Sequence, residues 1–273
     1  MFCFQCQETA KGTGCTVRGV CGKLPETSRW QDLLLSVVRG VGTIGHALSE
    51  AGVAYDKVPV GDMIVDALFT TITNANFDDS AILEKVDRAI AIKKQLLLIA
   101  KDKGVSLPDY QEVKWGGEKA DYRAEGDRES ILRNEDADLR SLKELTVLGL
   151  KGMAAYYEHA SHLNQRNEAI IDFMMKALGI ISDPSANMDT LLATVLETGK
   201  FGVDAMALLD KANTTAYGNP ELTRVNIGVG KNPGILISGH DLRDIEQLLQ
   251  QTEGTGIDVY THSEMLPAHY YPQ

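Results

Sequence analysis

Apolar side chains recur at helical spacing from residue 28 to about residue 217. In SRWQDLLLSVVRGVGTIGHALSEAG the apolar positions follow i, i+3, i+4 and i+7, and Gly52 is the predicted stop. A shorter helix is predicted at 61–73. A long helix is predicted to begin after Asp78-Asp79-Ser80, which supply good N-cap chemistry, and to run to Gly104.

The helical pattern breaks at 105–134, a polar stretch with Pro108 and several glycines that predicts a linker or an excursion. Periodicity then resumes in DADLRSLKELTVLGLKGMAAYYEHASHLN, NEAIIDFMMKALGI and NMDTLLATVLETGKFGVDAMALLDKANTT. The order is long, short, long and then long, short, long again, and MIVDALF at 63–69 echoes AIIDFMM at 169–175. The sequence therefore predicts two three-helix bundles with a weak internal duplication.

The periodicity changes after YGNPEL at 217–222. RVNIGVG at 224–230 is β-like, and GILISG at 234–239 is a short apolar run bounded by Gly and Pro, which is typical of a buried strand. HDLRDIEQLLQQTEGTG predicts a helix, and IDVYTH at 257–262 predicts another strand, so a parallel strand–helix–strand unit is expected. GVGKNPG lacks the glycine spacing of a dinucleotide loop, and Pro233 leads into a strand, so no such loop is predicted.

A parallel sheet of two strands joined by one helix cannot cover both of its faces. The sequence stops at PAHYYPQ, just past the second predicted strand, so the unit is expected to be incomplete. The predicted fold is mainly α, with two three-helix bundles followed by the β-α-β start of an α/β domain. The predicted domains are 1–217, a helical domain with a linker at about 105–134, and 218–273, the truncated first part of the α/β domain.

Composition and charge narrow the class of protein. The 273 residues are 44% hydrophobic and 24% charged, which fits a globular protein with a substantial core. The formal net charge of −11 argues against a nucleic-acid binder, which presents a basic surface. No apolar run approaches the ~18–20 residues that cross a bilayer, and MFCFQCQETAK lacks the regions of an export signal. The expected location is the reducing cytoplasm, with neither membrane nor nucleic acid as a partner.

All four cysteines lie in the first 21 residues, at Cys3, Cys6, Cys15 and Cys21, with C-x2-C-x8-C-x5-C spacing. Disulfides are disfavoured, because no export signal precedes them and the core is large enough without them. Structural zinc stays an alternative, although it usually takes two C-x2-C pairs and only one is present. An iron–sulfur cluster accepts one close pair and two more distant thiolates, and the intervening glycines let the backbone wrap around it. The residues therefore favour a [4Fe-4S] cluster, whose net negative charge suits the nearby basic residues Lys11, Arg18 and Lys23.

Two polar residues follow the carboxyl ends of the predicted strands, where parallel sheets place their ligand sites. His240 follows the first strand and Glu264 follows the second. Imidazole and carboxylate are suitable iron ligands; the alternatives are helix capping by His240 with Asp241, and a loop acid at 264. The EHASH motif at 158–162 lacks H-E-x-x-H order and an evident third ligand, so it is predicted to be a polar helix face.

Three segments resemble one known family. They are MFCFQCQETAKGTGCTVRGVCGK, NEDADLRSLKELTVLGLKGMAAY and YGNPELTRVNIGVGKNPGILISGHDLRDIEQLLQQTEGTGIDVYTHSEMLPAHYYP. The resemblance runs along the whole chain and is to the hybrid cluster, or prismane, family. This chain corresponds to the N-terminal half of a protein of that family. The resemblance implies a helical domain of two three-helix bundles followed by Rossmann-like α/β domains, of which this chain holds the start.

The resemblance also implies two metal centres. The cysteine spacing matches the subgroup with a [4Fe-4S] cubane, carried here by the four N-terminal cysteines. The histidine and first glutamate ligands of a hybrid [4Fe-2O-2S] cluster match His240 of SGHDL and Glu264 of THSEMLPA. The family usually reads T-H-G-E at the second motif, so Ser263 is a departure beside a ligand. The other ligands, four cysteines and a second glutamate, lie downstream, and no cysteine follows Cys21, so this chain is expected not to assemble the hybrid cluster alone.

The activity implied by the resemblance is two-electron reduction of hydroxylamine to ammonia and water, or of nitric oxide or nitrosothiols under nitrosative stress. The cubane is expected to relay electrons from a flavin-dependent reductase or a small iron–sulfur carrier. Two alternatives belong to other classes: a stand-alone [4Fe-4S] electron-transfer or binding module without catalysis, and a zinc-bound helical scaffold.

Overall fold

The computed structural model describes residues 1–273. The helices are α1 (Pro25–Glu50), α2 (Lys57–Thr70), α3 (Asp79–Lys103), α4 (Gln111–Lys114), α5 (Tyr122–Arg128), α6 (Ala137–His162), α7 (Glu168–Ser182), α8 (Met188–Tyr217) and α9 (Leu242–Thr252). The strands are β1 (Gly234–Ser238) and β2 (Asp258–His262). The mainly α class and the repeated order of long, short and long helices are confirmed. None of the helices combines the length and the apolar character that crossing a bilayer requires.

Side-chain caps explain where several helices begin. Asp56 accepts a hydrogen bond from the amide of Val58 at the start of α2. Asp78 accepts from the amides of Ser80 and Ala81 at the start of α3, as the sequence predicted. At the end of α3, Gly104 adopts a φ of 66°, a left-handed conformation that glycine takes without a steric penalty.

The chain forms two compact units. Unit 1 comprises Met1–Ala155 and Asn167–Asp204, and unit 2 comprises Tyr156–Arg166 and Ala205–Gln273. The division into domains at 1–217 and 218–273 stays a prediction.

Helix α1 is the centre of unit 1. It packs mainly against α3 and α7 and also contacts α2, α4 and α5. Leu33, Leu34 and Val38 on this helix are fully buried. A Cβ atom at Gly40 would overlap the main-chain carbonyl of Glu112 in α4, so the glycine permits this close approach. Because α1 packs against α7 as well as α3, the grouping into two separate three-helix bundles stays a prediction.

Residues 105–134 pack onto α1 as an excursion from the helical core. Glu112 and Glu129 are each less than 5% exposed although they are acidic. Arg39 of α1 forms an ion pair with Glu129, and Arg133 contacts both carboxylates. Two acidic residues of this polar stretch are therefore buried and paired with arginines.

Unit 2 contains the predicted strand–helix–strand element, but the prediction that its first strand is buried is wrong, because Gly234–Ser238 is largely exposed. β1 and β2 pair in parallel, with Gly234 opposite Asp258 and Ser238 opposite His262. Helix α9 connects the two strands, and Asp241 caps it by accepting from the amide of Arg243. A small apolar core lies beneath it, made of the buried residues Tyr217, Leu242, Ile245 and Met265.

The β-like prediction for 224–230 is wrong, because the structure has no strand there. Val225, Ile227 and Val229 alternate as in a strand, but Ile227 is 99% and Val229 85% exposed. An extended segment becomes a strand only when its N–H and C=O groups pair with a neighbour. This alternating segment pairs with neither strand of the sheet, which consists of β1 and β2.

Candidate metal centres

The N-terminal cysteines lie on a compact loop of unit 1. Cys3 and Cys15 pair through their backbones: the Cys3 amide donates to the Cys15 carbonyl at 3.1 Å, and the Cys15 amide donates to the Cys3 carbonyl at 2.8 Å. All four thiols are free; Cys15 is buried, Cys3 and Cys6 are half-buried and Cys21 is exposed. The loop therefore brings the first and third cysteines together although 11 residues separate them.

Hydrogen-bond donors point at the most buried sulfur. The amide of Ala10 donates to Cys15 Sγ at 3.4 Å, and Thr9 Oγ1 lies 3.7 Å from the same sulfur. These contacts, with the backbone of Ala10 as the largest cause and that of Val20 next, lower the pKa of Cys15. Metal clusters bind the thiolate form, which such donors stabilise, so this donor set fits an iron–sulfur cluster.

The three basic residues near the cysteines have different surroundings. Lys23 is 3% exposed, and its Nζ lies 3.9 Å from Cys3 Sγ. Lys11 and Arg18 are exposed. Sequence reasoning grouped all three, but only the buried ammonium acts on the thiolates without full solvent screening.

His240 and Glu264 come together in unit 2, beyond the carboxyl ends of β1 and β2. His240 Nε2 lies 3.5 Å from Glu264 Oε2, and the side chains are 61% and 65% exposed. Ser263 precedes the glutamate with a φ of 50°, in the left-handed region that costs a residue with a Cβ roughly 1–2 kcal/mol. Ser263 therefore stands where the T-H-G-E motif has glycine, and its backbone conformation is one that glycine adopts more easily.

A third cluster, missed from the sequence, joins EHASH to Asp241. His162 Nδ1 lies 2.7 Å and His159 Nδ1 3.3 Å from Asp241 Oδ2, and Asp241 is 4% exposed. The two histidines are on α6 and the aspartate caps α9, about 80 positions later, so no local motif could signal the third member. The segment is therefore more than a polar helix face.

The cluster shifts the protonation of its members. Burial alone would raise the pKa of Asp241, but hydrogen bonds from His159, His162 and the Arg243 amide lower it to about 2. Burial would lower the pKa of His162, but its hydrogen bond to the Asp241 carboxylate raises it. The raised pKa of His162 stabilises the fold below about pH 6.5, and this contribution is lost as the pH rises through the folded-state pKa.

We expect Asp241→Asn to lower the pKa of His162, because the amide cannot supply the carboxylate charge that holds the imidazolium. NMR titration of the imidazole nitrogens, with His162 assigned by a His162→Gln variant, measures the change. Asp244→Asn is the matched control: its charge acts more weakly on His162, so its effect is expected to be smaller. An unchanged His162 pKa in Asp241→Asn would contradict the pairing.

The match to a known family covers the entire chain. Residues 1–273 match the Prismane/CO dehydrogenase family. The chain belongs to this family. It is similar to the hydroxylamine reductases of Bacteroides fragilis strain YCH46 (54% identity) and Desulfitobacterium hafniense strain DSM 10664 / DCB-2 (53% identity). Each alignment covers 100% of this chain but 49% and 50% of the respective relative, so the chain spans about half the length of these curated relatives.

Membership of the prismane family favours iron–sulfur over zinc at the cysteine loop. The family implies iron–sulfur clusters, and the four free thiols with a donor-stabilised thiolate at Cys15 fit that chemistry. The hydroxylamine reductase relatives support an oxidoreductase assignment for the family.

Proposed function

We propose that this chain is the N-terminal part of an iron–sulfur oxidoreductase of the hybrid cluster type that reduces hydroxylamine to ammonia and water. The proposal rests mainly on the cysteine loop, which carries four free thiols and a backbone bridge between Cys3 and Cys15. The match of the full chain to hydroxylamine reductases supports the reaction. Nitric oxide or nitrosothiols, reduced under nitrosative stress, are the related substrates.

In this proposal Cys3, Cys6, Cys15 and Cys21 hold a [4Fe-4S] cluster that relays electrons. Cys21 is the exposed member, and Val17 and Val20 beside it are 81% and 63% exposed. This edge gives a redox partner, a flavin-dependent reductase or a small iron–sulfur carrier, a short path to the thiolates. Four free thiols suit the reducing cytoplasm, where we place the protein.

His240 and Glu264 would be iron ligands of the hybrid [4Fe-2O-2S] cluster. The reduction breaks the N–O bond of hydroxylamine, consumes two electrons and two protons, and releases ammonia and water. When bound, that cluster supplies an open iron site and stored electrons. The imidazole of His240 and the carboxylate of Glu264, 3.5 Å apart, would present two donor atoms to one metal position. Both side chains are more than half exposed, so they are open to a metal and to further ligands.

A stand-alone [4Fe-4S] electron-transfer or binding module is the second candidate. One observation favours it: the cysteine loop alone provides four free thiols, the number of ligands that a [4Fe-4S] cluster takes. In that case the N-terminal cluster accepts and donates electrons, but no substrate is reduced.

Anaerobic purification and turnover assays separate these candidates. We expect the 273-residue chain to bind about four irons and four sulfides and to reduce no hydroxylamine. Joined to the C-terminal half of the Bacteroides fragilis relative, it should produce one ammonia for two electrons from a reduced dye. In this chimera His240→Ala should abolish turnover while the N-terminal cluster persists.

Three results would contradict the proposal. Turnover by the 273-residue chain alone would show that the downstream ligands are not needed. A chimera that holds both clusters and reduces no hydroxylamine would favour the electron-transfer module. Zinc in place of iron, without brown iron–sulfur absorption, would favour the helical scaffold.

A further inference from the structure

A lysine is buried directly beside the cysteine loop. Lys23 is 3% exposed, and its Nζ donates to Gln31 Oε1 at 2.6 Å and to Cys3 Sγ at 3.9 Å. Gln31 in turn donates from Nε2 to the carbonyl of Asn76 at 3.1 Å. The side chain that orients the ammonium is therefore itself held in place.

A second lysine approaches the same loop from α6. Lys151 is 2% exposed, and its Nζ donates to Gln5 Oε1 at 3.1 Å and to the carbonyl of Thr71 at 2.9 Å. Gln5 lies between Cys3 and Cys6 in the C-x2-C pair. Lys151 therefore contacts the loop between Cys3 and Cys6 but contacts no thiol. Helix periodicity did not indicate that this lysine is buried, because the other buried positions of α6 are mostly apolar.

The surroundings of the two lysines are short of negative charge. Burial, and next the like charge of Lys23, lower the pKa of Lys151 to about 8. Burial raises the pKa of the neighbouring Asp32 to about 7 despite the lysines, and it also raises the pKa of Glu144. Because these carboxyls do not neutralise the ammonium groups fully, the region suits an additional anion. Four thiolates around an iron–sulfur cluster would supply it.

We propose that Lys23 and Lys151 form a buried pair of cations that raises the reduction potential of the cluster held by Cys3, Cys6, Cys15 and Cys21. This inference rests on the proposed function, because it requires a cluster on the cysteine loop. Reduction adds one negative charge to the cluster, and a fixed cation nearby stabilises the reduced form more than the oxidised form. Both lysines are positioning residues, since neither is a ligand.

The test uses the 273-residue chain with its cluster reconstituted anaerobically. Lys23→Met and Lys151→Met remove one charge each and keep a long side chain in the buried position. Iron and sulfide are counted first, and the cluster is then titrated against a series of potentials while the electron paramagnetic resonance signal of its reduced form is recorded. Each variant is expected to reduce the equilibrium constant for reduction about tenfold, a fall of ~59 mV for a one-electron couple.

Two controls separate charge from packing. Arg18→Met removes a cation from the same loop, but Arg18 is exposed, so the equilibrium constant should change less than about twofold. Lys23→Arg keeps the charge and should recover most of the potential lost in Lys23→Met. An arginine variant as low in potential as the methionine variant would assign the effect to packing and overturn the proposal.

The remaining outcomes are also decisive. Wild-type potential in both methionine variants overturns the proposal. If Lys23→Met loses its cluster, Lys151→Met decides the question, because Lys151 touches no cysteine. Loss of the cluster from both variants overturns the claim about potential in favour of a role in assembly. A wild-type chain that binds no cluster contradicts the proposed function as well, whereas a cluster of unchanged potential contradicts this inference alone.

Discussion

Cys15→Ala is expected to reduce the iron content of the chain from about four atoms to nearly none. Cys15 is the most buried of the four cysteines, at 4% exposure, and its thiolate accepts from the Ala10 amide. Its backbone also pairs with that of Cys3, so the ligand occupies a fixed place in the loop. A flexible replacement ligand cannot reach a buried corner, so a cluster without this thiolate is not expected to assemble. Iron and sulfide counts after anaerobic reconstitution measure the effect.

Thr16→Ala is the matched control for this variant. Thr16 is the exposed neighbour of Cys15, so its side chain is expected to contribute nothing to the cluster, and iron content should equal that of the wild type. A variant with three irons would still support Cys15 as a ligand. Full iron content and unchanged absorption in Cys15→Ala would show that another group holds that corner, and the assignment of the four cysteines would be wrong.

The sequence predicted the local elements of this fold well, because local signals determine them. The N-cap at Asp78 and the left-handed Gly104 mark the ends of α3 where the pattern placed them. The parallel pair β1 and β2 was predicted from the short apolar run GILISG, the helical segment after it and the strand IDVYTH. In each case the physical cause, a cap or a periodicity, lies within a few residues of its effect.

The features that the sequence predicted wrongly or did not indicate depend on contacts between distant segments. The alternation of Val225, Ile227 and Val229 is that of a strand, but a strand also requires a partner. The EHASH motif lacked a third group because Asp241 reaches it from α9. Within the polar stretch 105–134, Glu112 and Glu129 are buried and paired with arginines, and composition alone cannot distinguish a buried ion pair from a solvated one.

The same distinction between local signals and distant contacts applies to the candidate sites. The four cysteines lie within the first 21 residues, so their spacing identified them as candidate cluster ligands. The hydrogen bonds that stabilise the Cys15 thiolate fit that expectation. His240 and Glu264 were placed by the rule that parallel strands direct their carboxyl ends to one edge, and they lie 3.5 Å apart. The sequence did not indicate a role for Lys151, because the residue that it contacts on the cysteine loop, Gln5, is 146 positions away.

Glu129→Gln is expected to destabilise unit 1 by about 1.5–3 kcal/mol, because it removes the charge of a buried carboxylate that three guanidinium groups share. Glu112 and Glu125 still pair with these arginines, so part of their counter-charge remains. The Glu129 side chain is 2% exposed and forms ion pairs with Arg39 of α1, Arg128 and Arg133. The pair with Arg39 attaches the excursion 105–134 to the central helix, whereas Arg128 and Arg133 belong to the excursion itself. Removing the carboxylate charge keeps the shape of the side chain, so the loss reports on electrostatics and not on a cavity.

Urea unfolding followed by tryptophan fluorescence measures this loss in the correct unit, since the two tryptophans, Trp30 and Trp115, both lie in unit 1. Glu118→Gln is the matched control: Glu118 is 75% exposed and lies 4.0 Å from Lys94, so its loss should cost about 1 kcal/mol or less. If both variants unfold at the same urea concentration, the buried network contributes no more than a surface ion pair. The excursion would then be held by the apolar contacts of Val113 and Tyr122, which are 4% and 8% exposed, because these are the remaining buried side chains on α4 and α5 large enough to anchor it.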